Sequence, residues 1–158
     1  DISLGLDLFH INTKQQGDVW QFQLPIFNNL TYTLPISSTR ILLNSEWGFR
    51  PVFHYVFPFI EAGIGFAINE ASYNDAPKPG TTAMPLHLNH HTQGQFSYSI
   101  GGGFRIPVRK NMEASLRFIY TDLGHAKTTN TGSITIAAPV SVALTTQTWV
   151  LGFTYLFQ

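Results

Sequence analysis

Residues 96 to 107, FSYSIGGGFRIP, alternate with a period of two. Phe96, Tyr98, Ile100, Phe104 and Ile106 fall on one side, with Gly102 among them. Ser97, Ser99, Gly101, Gly103 and Arg105 fall on the other. Successive side chains of an extended strand point to opposite faces, so this period specifies a strand and excludes an amphipathic helix. Five more segments share it. Ile2, Leu4, Leu6 and Leu8 alternate with Ser3, Gly5, Asp7 and Phe9. From about 30 to 49, Ile41, Leu43, Trp47 and Phe49 oppose Arg40, Leu42, Asn44, Glu46 and Gly48. From about 57 to 73, Ile60, Ala62, Ile64, Phe66 and Ile68 oppose Glu61, Gly63, Gly65, Ala67 and Asn69. Met112, Ala114, Leu116, Phe118 and Tyr120 then oppose Glu113, Ser115, Arg117, Ile119 and Thr121. Last, Trp149, Leu151, Phe153, Tyr155 and Phe157 oppose Thr148, Val150, Gly152, Thr154 and Leu156. Near Pro35 the second segment loses phase, which predicts a bulge or an extension beyond the regular ladder.

The links alternate in length. Only VRKN separates the fourth and fifth segments, and RPVFHY the second and third. Links of about 13–28, 74–94 and 127–145 are long and polar. This asymmetry predicts an antiparallel up-and-down meander with tight turns at one end and loops at the other, as in transmembrane barrels. Residues 1–158 then form one all-β domain.

The composition decides which face looks outward. Charged residues make up 11% of the 158 and hydrophobic ones 44%, whereas a soluble domain carries roughly 25% charge. A soluble sheet buries its aromatic face and solvates the other with Lys, Glu, Thr and Gln. Here the second face is mostly Gly, Ser, Ala, Thr and Asn, which suits the crowded interior of a small barrel. The expected arrangement places Trp47, Phe66, Phe104, Phe118, Trp149, Phe153, Tyr155 and Phe157 against lipid. It places Asp7, Arg40, Glu46, Glu61, Arg105, Glu113 and Arg117 inside as a charge network, because buried charges must pair. Within it, Arg105 and Arg117 are expected to pair with Glu61 and Glu113. A soluble ligand-binding barrel is the rival fold, with the apolar face lining a cavity.

With no cysteine, disulfide scaffolds, thiolate metal sites and Cys nucleophiles are excluded. Zero formal net charge gives no footprint for nucleic acid. No run of about 18 apolar residues provides a transmembrane helix. The sequence opens at Asp1 without a basic or apolar leader, so an export signal is expected to have been removed already.

PFIEAGIGFAINEAS, FSYSIGGGFRIPVRKNMEASLRFIYTDLGHAKT and TWVLGFTYLF resemble the C-terminal half of small Gram-negative outer-membrane barrels. These are the opacity-protein and OmpA-like transmembrane-domain families. RFIYTDLGHAKT resembles their penultimate strand, ending in Y-x-D-L-G, although Gln158 follows the closing aromatic Phe157. The resemblance implies an eight-stranded barrel, of which this chain supplies about six strands, corresponding to strands three to eight. It implies a bacterial outer-membrane location, extracellular loops, and a structural or adhesive, host-contact role without catalysis. Lipid and lipopolysaccharide are the expected partners. The open sheet would be completed by missing N-terminal strands or by further copies of the chain, and an assembly built through such edges is the alternative function.

The remaining motifs are weak. His87, His90 and His91 could hold zinc or copper only if three or four ligands converged; a solvated loop is the simpler expectation, and no metal or cofactor is expected. Asp122 and His125 are a lone pair, and no H-x-S pattern supports a lipid hydrolase. SIGGGF lacks the following helix of a nucleotide loop. SITIAAPVSVAL, residues 133 to 144, is an uncharged link expected to pack on neighbouring loops.

Overall fold

The computed structural model describes residues 1–20, 24–53 and 55–155. Six strands follow in order: β1 Ile2–Trp20, β2 Asn28–Gly48, β3 Phe57–Pro77, β4 His87–Arg109, β5 Met112–Lys127 and β6 Ser141–Tyr155. Each pairs antiparallel with its neighbour in sequence, giving one sheet in the order β1-β2-β3-β4-β5-β6. The sheet curls into a half-barrel. Arg40 of β2 reaches across the concave side to donate to the Thr146 hydroxyl of β6 at 3.3 Å. β1 pairs with β2 and β6 with β5, and among the described residues the two outer strands do not pair with each other. No helix among the described residues is long and apolar enough to cross a membrane. That criterion says nothing about strands.

The strands run well past the segments that alternation marked. The link expected at 13–28 shrinks because β1 continues to Trp20 and β2 begins at Asn28. The link at 74–94 shrinks to the stretch between Pro77 and His87, and the link at 127–145 to that between Lys127 and Ser141. His87, His90 and His91 are therefore strand residues of β4, not loop residues. The extensions were hidden because their outward residues are polar, which reads as loop to any search for alternating grease.

Pro35 marks no bulge. On either side of it the β2–β3 register is the same, with Thr33 opposite Asn74 and Ile36 opposite Ala71. Proline has no N–H to give the ladder, and the pairing resumes in phase. Register does shift between Asp122 and His125 on β5, where Gly124 takes φ +74°. A side chain is strained in that left-handed conformation, and a Cβ here would press on Gln95. The Asp122 carboxylate accepts from the Gly124 N–H at 2.8 Å, so the D-L-G triplet is a built bulge. The carbonyls it frees are met by side chains. Ser97 donates to Asp122 O at 2.6 Å, Asn69 to Leu123 O at 2.7 Å and Gln93 to His125 O at 2.5 Å.

The sheet closes tightly on its small side. A Cβ on Gly65 would run into the Ile41 carbonyl, and one on Gly103 into the Leu116 carbonyl. Link 128–140 is laid along the end of β4, with Asn89 N donating to Thr131 O at 3.0 Å and Ser133 N to His87 O at 2.9 Å. Val140, Val142 and Leu144 of the uncharged segment pack on buried Leu34, Ile36, Ala71 and Ala126.

Candidate functional site: two faces that exchange polarity

Each strand changes character part-way along. Towards the tight-turn end, the convex face is apolar and exposed. It carries Leu4, Leu6 and Leu8 of β1, Ile41 and Leu43 of β2, Ile60, Ile64, Phe66 and Ile68 of β3, and Phe96, Ile100 and Phe104 of β4. Leu116 of β5 and Trp149, Leu151, Phe153 and Tyr155 of β6 complete the band. Trp47 stands at its lower edge, and Phe118 packs on Trp149 with ring centroids 5.0 Å apart. Phe157 lies outside the described residues.

Towards the loop end, the next residues on that same convex face are polar. His10 follows Leu8, Thr39 precedes Ile41, Glu70 follows Ile68, Asp122 follows Tyr120 and Gln147 precedes Trp149. The register aligns His10 with Thr39 and Thr39 with Ile68, and His10 Nδ1 lies 2.8 Å from Thr39 Oγ1. The concave face gathers an apolar cluster near the loops and its charges lower down, where Leu42 and Phe59 are buried among them. Leu34, Ile36, Ala71 and Ala126 form a buried apolar cluster near the loops, with Tyr32 stacked on Tyr73 at 5.9 Å. Beneath it lies a polar layer. Asn69, wholly buried, accepts from Ser38 at 2.7 Å and donates to the Leu123 carbonyl.

Below that layer the seven charged residues proposed for the interior come together. Asp7 meets Arg40 at 3.6 Å, and the Arg40 guanidinium stands 4.6 Å from the Phe9 ring centroid. Arg105 bridges Glu46 at 2.9 Å and Glu113 at 3.9 Å, while Arg117 bridges Glu61 at 3.1 Å and Glu46 at 4.0 Å. Both arginines face buried Phe59, 5.4 and 5.5 Å from its centroid. Four carboxylates against three guanidiniums leave one negative charge in excess. The expected partners Glu61 and Glu113 are in place, and sequence reasoning missed Glu46 as the shared partner and Phe59 as the floor. A signal existed: Glu46 and Glu61 lie opposite each other on neighbouring strands, and like charges so placed repel unless cations sit between them.

A cavity of about 450 Å³ opens between this network and β1 and β6, with a mixed lining: Asp7, Arg40, Glu46, Glu61, Arg117 and Thr148 face Leu4, Leu6, Phe9, Ile119 and Val150. Buried Glu61 Oε1, Ser115 Oγ and Thr121 Oγ1 have no partner among the described residues.

The histidines do not converge. His87 Nδ1 lies 2.9 Å from Asn74 Oδ1, His90 Nε2 lies 3.3 Å from Glu70 Oε2, and His91 stands opposite Ala71 in the β3–β4 register. Among the described residues no three His, Cys, Asp or Glu side chains are grouped to hold a metal. At the loop end Lys78 bridges Asp18 at 2.9 Å and donates to Asn28 at 2.8 Å, tying β1, β2 and the β3 tip together. The hydrogen bond from Lys78 holds the Asp18 carboxyl below its usual range. Burial, aided by adjacent Asp75, pushes the Tyr73 phenol up to about 12. No protein-family model matches the chain, and no curated protein or solved structure matches it.

Proposed function

We propose that this chain forms most of the wall of a bacterial outer-membrane β-barrel of the opacity and OmpA-like kind, and that it works by presenting its loop end outside the cell without catalysis. The observation that carries this reading is the exchange of polarity on both faces at one level of the sheet. A sheet wholly in water keeps its apolar side on one face from end to end. A sheet that leaves hydrocarbon for water must be greasy outside and polar inside below the boundary, and the reverse above it. The apolar band from Ile60 to Ile68 on β3 spans about 26 Å at about 3.3 Å per residue. The band on β4 from Phe96 to Val108 spans about 40 Å. At a tilt of about 45°, these cover roughly 19–28 Å of depth, bracketing the ~25 Å apolar height of such barrels.

In this reading the upper apolar cluster makes the strand tips a rigid stalk, which holds the links as a display surface for adhesion or host contact. Outer-membrane lipid and lipopolysaccharide surround the lower band, and nucleic acid has no role. Extraction of the full chain tests the proposal. It is expected to fold only with detergent or vesicles, and a monomeric, folded protein in plain buffer refutes it.

A second reading rests on the open edges of β1 and β6. Unpaired backbone groups are not tolerated in hydrocarbon, so strands from another segment or from further copies of the chain must cover them. β1 and β6 run in opposite directions, so copies joined β6 to β1 would stay antiparallel throughout. A particle of several chains in detergent would favour that assembly, and a single-chain particle the simple barrel.

A further inference from the structure

The tight-turn end carries a feature that neither the charge network nor the display surface uses. β2 and β3 are joined through Phe49, Arg50, Pro51, Val52 and Phe53 onward to Val56. Val52 and Val56 bridge each other, with N···O distances of 2.7 and 3.2 Å, and pinch the turn into a tip. At that tip Phe53 has φ +56°, a left-handed conformation that is a real outlier for a bulky side chain. Phe53 is 85% exposed and Tyr55 69% exposed. The turn holds this conformation through its own backbone, with Tyr55 N donating to Phe53 O at 2.8 Å, and the effect is to project an aromatic side chain away from the described fold, which directs attention to something outside it.

The charge at this end is one-sided. Arg50 in this turn and Arg109 and Lys110 in the next are all exposed, and none sits in an ion pair with a described carboxylate. Residues 49–60 and 106–112 contain no Asp or Glu. Glu46 and Glu113 nearby are taken up by Arg105 inside the network, which among the described residues leaves the carboxylate of Asp1, beside Gly48, at this rim. The loop end mixes both signs: there Lys78 is paired with Asp18 and His90 with Glu70, while Lys14 and Lys127 are exposed outside these pairs.

We infer that the tight-turn end docks on anionic phospholipid headgroups of the bilayer the barrel crosses, with Phe53 and Tyr55 wedged at the interface and Arg50, Arg109 and Lys110 on the phosphates. The inference rests on the membrane-spanning reading. Two features select lipid as the occupant. The turn continues directly from the apolar band through Trp47 and Phe49, so it lies at headgroup depth. Its makeup of aromatics and unpaired cations is also that of an interfacial anchor.

The test uses the full chain in two single-tryptophan forms. One keeps Trp149 alone, through Trp20→Phe and Trp47→Phe; the other adds Trp149→Phe and Phe53→Trp. Both are reconstituted in phosphatidylcholine vesicles with and without phosphatidylglycerol, carrying quenchers in the acyl chains or on the headgroups. Trp149 is expected to be quenched by the chain-borne label. The indole at position 53 is expected to be quenched from the headgroups and shielded from an aqueous quencher. If Trp149 is quenched while position 53 remains water-exposed, the inference fails and the membrane reading stands. If Trp149 is not quenched, both fail. The combined variant Arg50→Gln, Arg109→Gln and Lys110→Gln is expected to lose about fivefold per cation in its preference for phosphatidylglycerol vesicles, about a hundredfold in all. An unchanged preference overturns the electrostatic half.

Discussion

Leu43 and Thr33 lie on the same convex face of β2, about 33 Å apart at about 3.3 Å per residue. Leu43 is 55% exposed and stands between Leu6 and Ile64 in the register. Thr33 lies beyond the polarity change, beside Asn74 of β3 and Gln16 of β1. Replacing each in turn by arginine sends the same charge to two levels of one surface. If the lower band meets hydrocarbon, Leu43→Arg costs about 2–4 kcal/mol and Thr33→Arg about 0–1 kcal/mol. At 1.4 kcal/mol per tenfold, Leu43→Arg lowers the folding equilibrium in vesicles by about thirtyfold to a thousandfold, with Thr33→Arg close to the parent. If both levels meet water, both changes fall within about 0.5 kcal/mol, as exposed substitutions usually do. Urea titration of the full chain folded into phosphatidylcholine vesicles, followed by tryptophan emission, measures the difference. Equal midpoints for the two variants would refute the argument from exchanged polarity.

The interior network gives a second expectation: a double-mutant cycle on Glu61→Gln and Arg117→Met returns a coupling of about 1–3 kcal/mol, and a value near zero removes the pairing from the account. Gly124→Ala puts a side chain at φ +74° and is expected to destabilise by at least ~1 kcal/mol, read from the same urea titration; Asp122→Ala, losing the 2.8 Å bond to the Gly124 N–H, follows in the same direction. Leu34→Ala opens the upper cluster and is expected to cost about 2–5 kcal/mol, with amide exchange rising at the loop end while the lower band keeps its protection. Tyr73, raised to about 12 in the folded chain from an ordinary 10, binds its proton more tightly when folded. Its contribution is therefore complete below pH 10, declines as pH rises from 10 towards 12, and is lost above that. Alkaline unfolding scans of the parent and Tyr73→Phe check this, since the variant should lose that part of the pH dependence.

Much of the fold was legible because a strand writes its two faces alternately into the sequence. Phe96 to Ile106 and Ile60 to Ile68 needed no neighbour to declare themselves. The order of strands followed from link lengths, since a two-residue turn such as Lys110–Asn111 leaves only an antiparallel neighbour within reach. Gathering the seven charges was also within reach of the sequence, because each occupies a small-residue face whose burial requires partners. The shared role of Glu46 was only hinted at by its place opposite Glu61, because it depends on how far the sheet curls: Arg105 reaches it from two strands away on β4 and Arg117 from three strands away on β5, and curvature is a property of the whole sheet. The strand ends were lost for a related reason. Lys14, Gln16, His87 and His90 look like loop residues until neighbouring strands show that the solvent outside them has changed while the ladder continues. Pattern records what each face touches. Only the packed sheet fixes where along the strands that surrounding medium changes, because the boundary is set by the register of all six strands together.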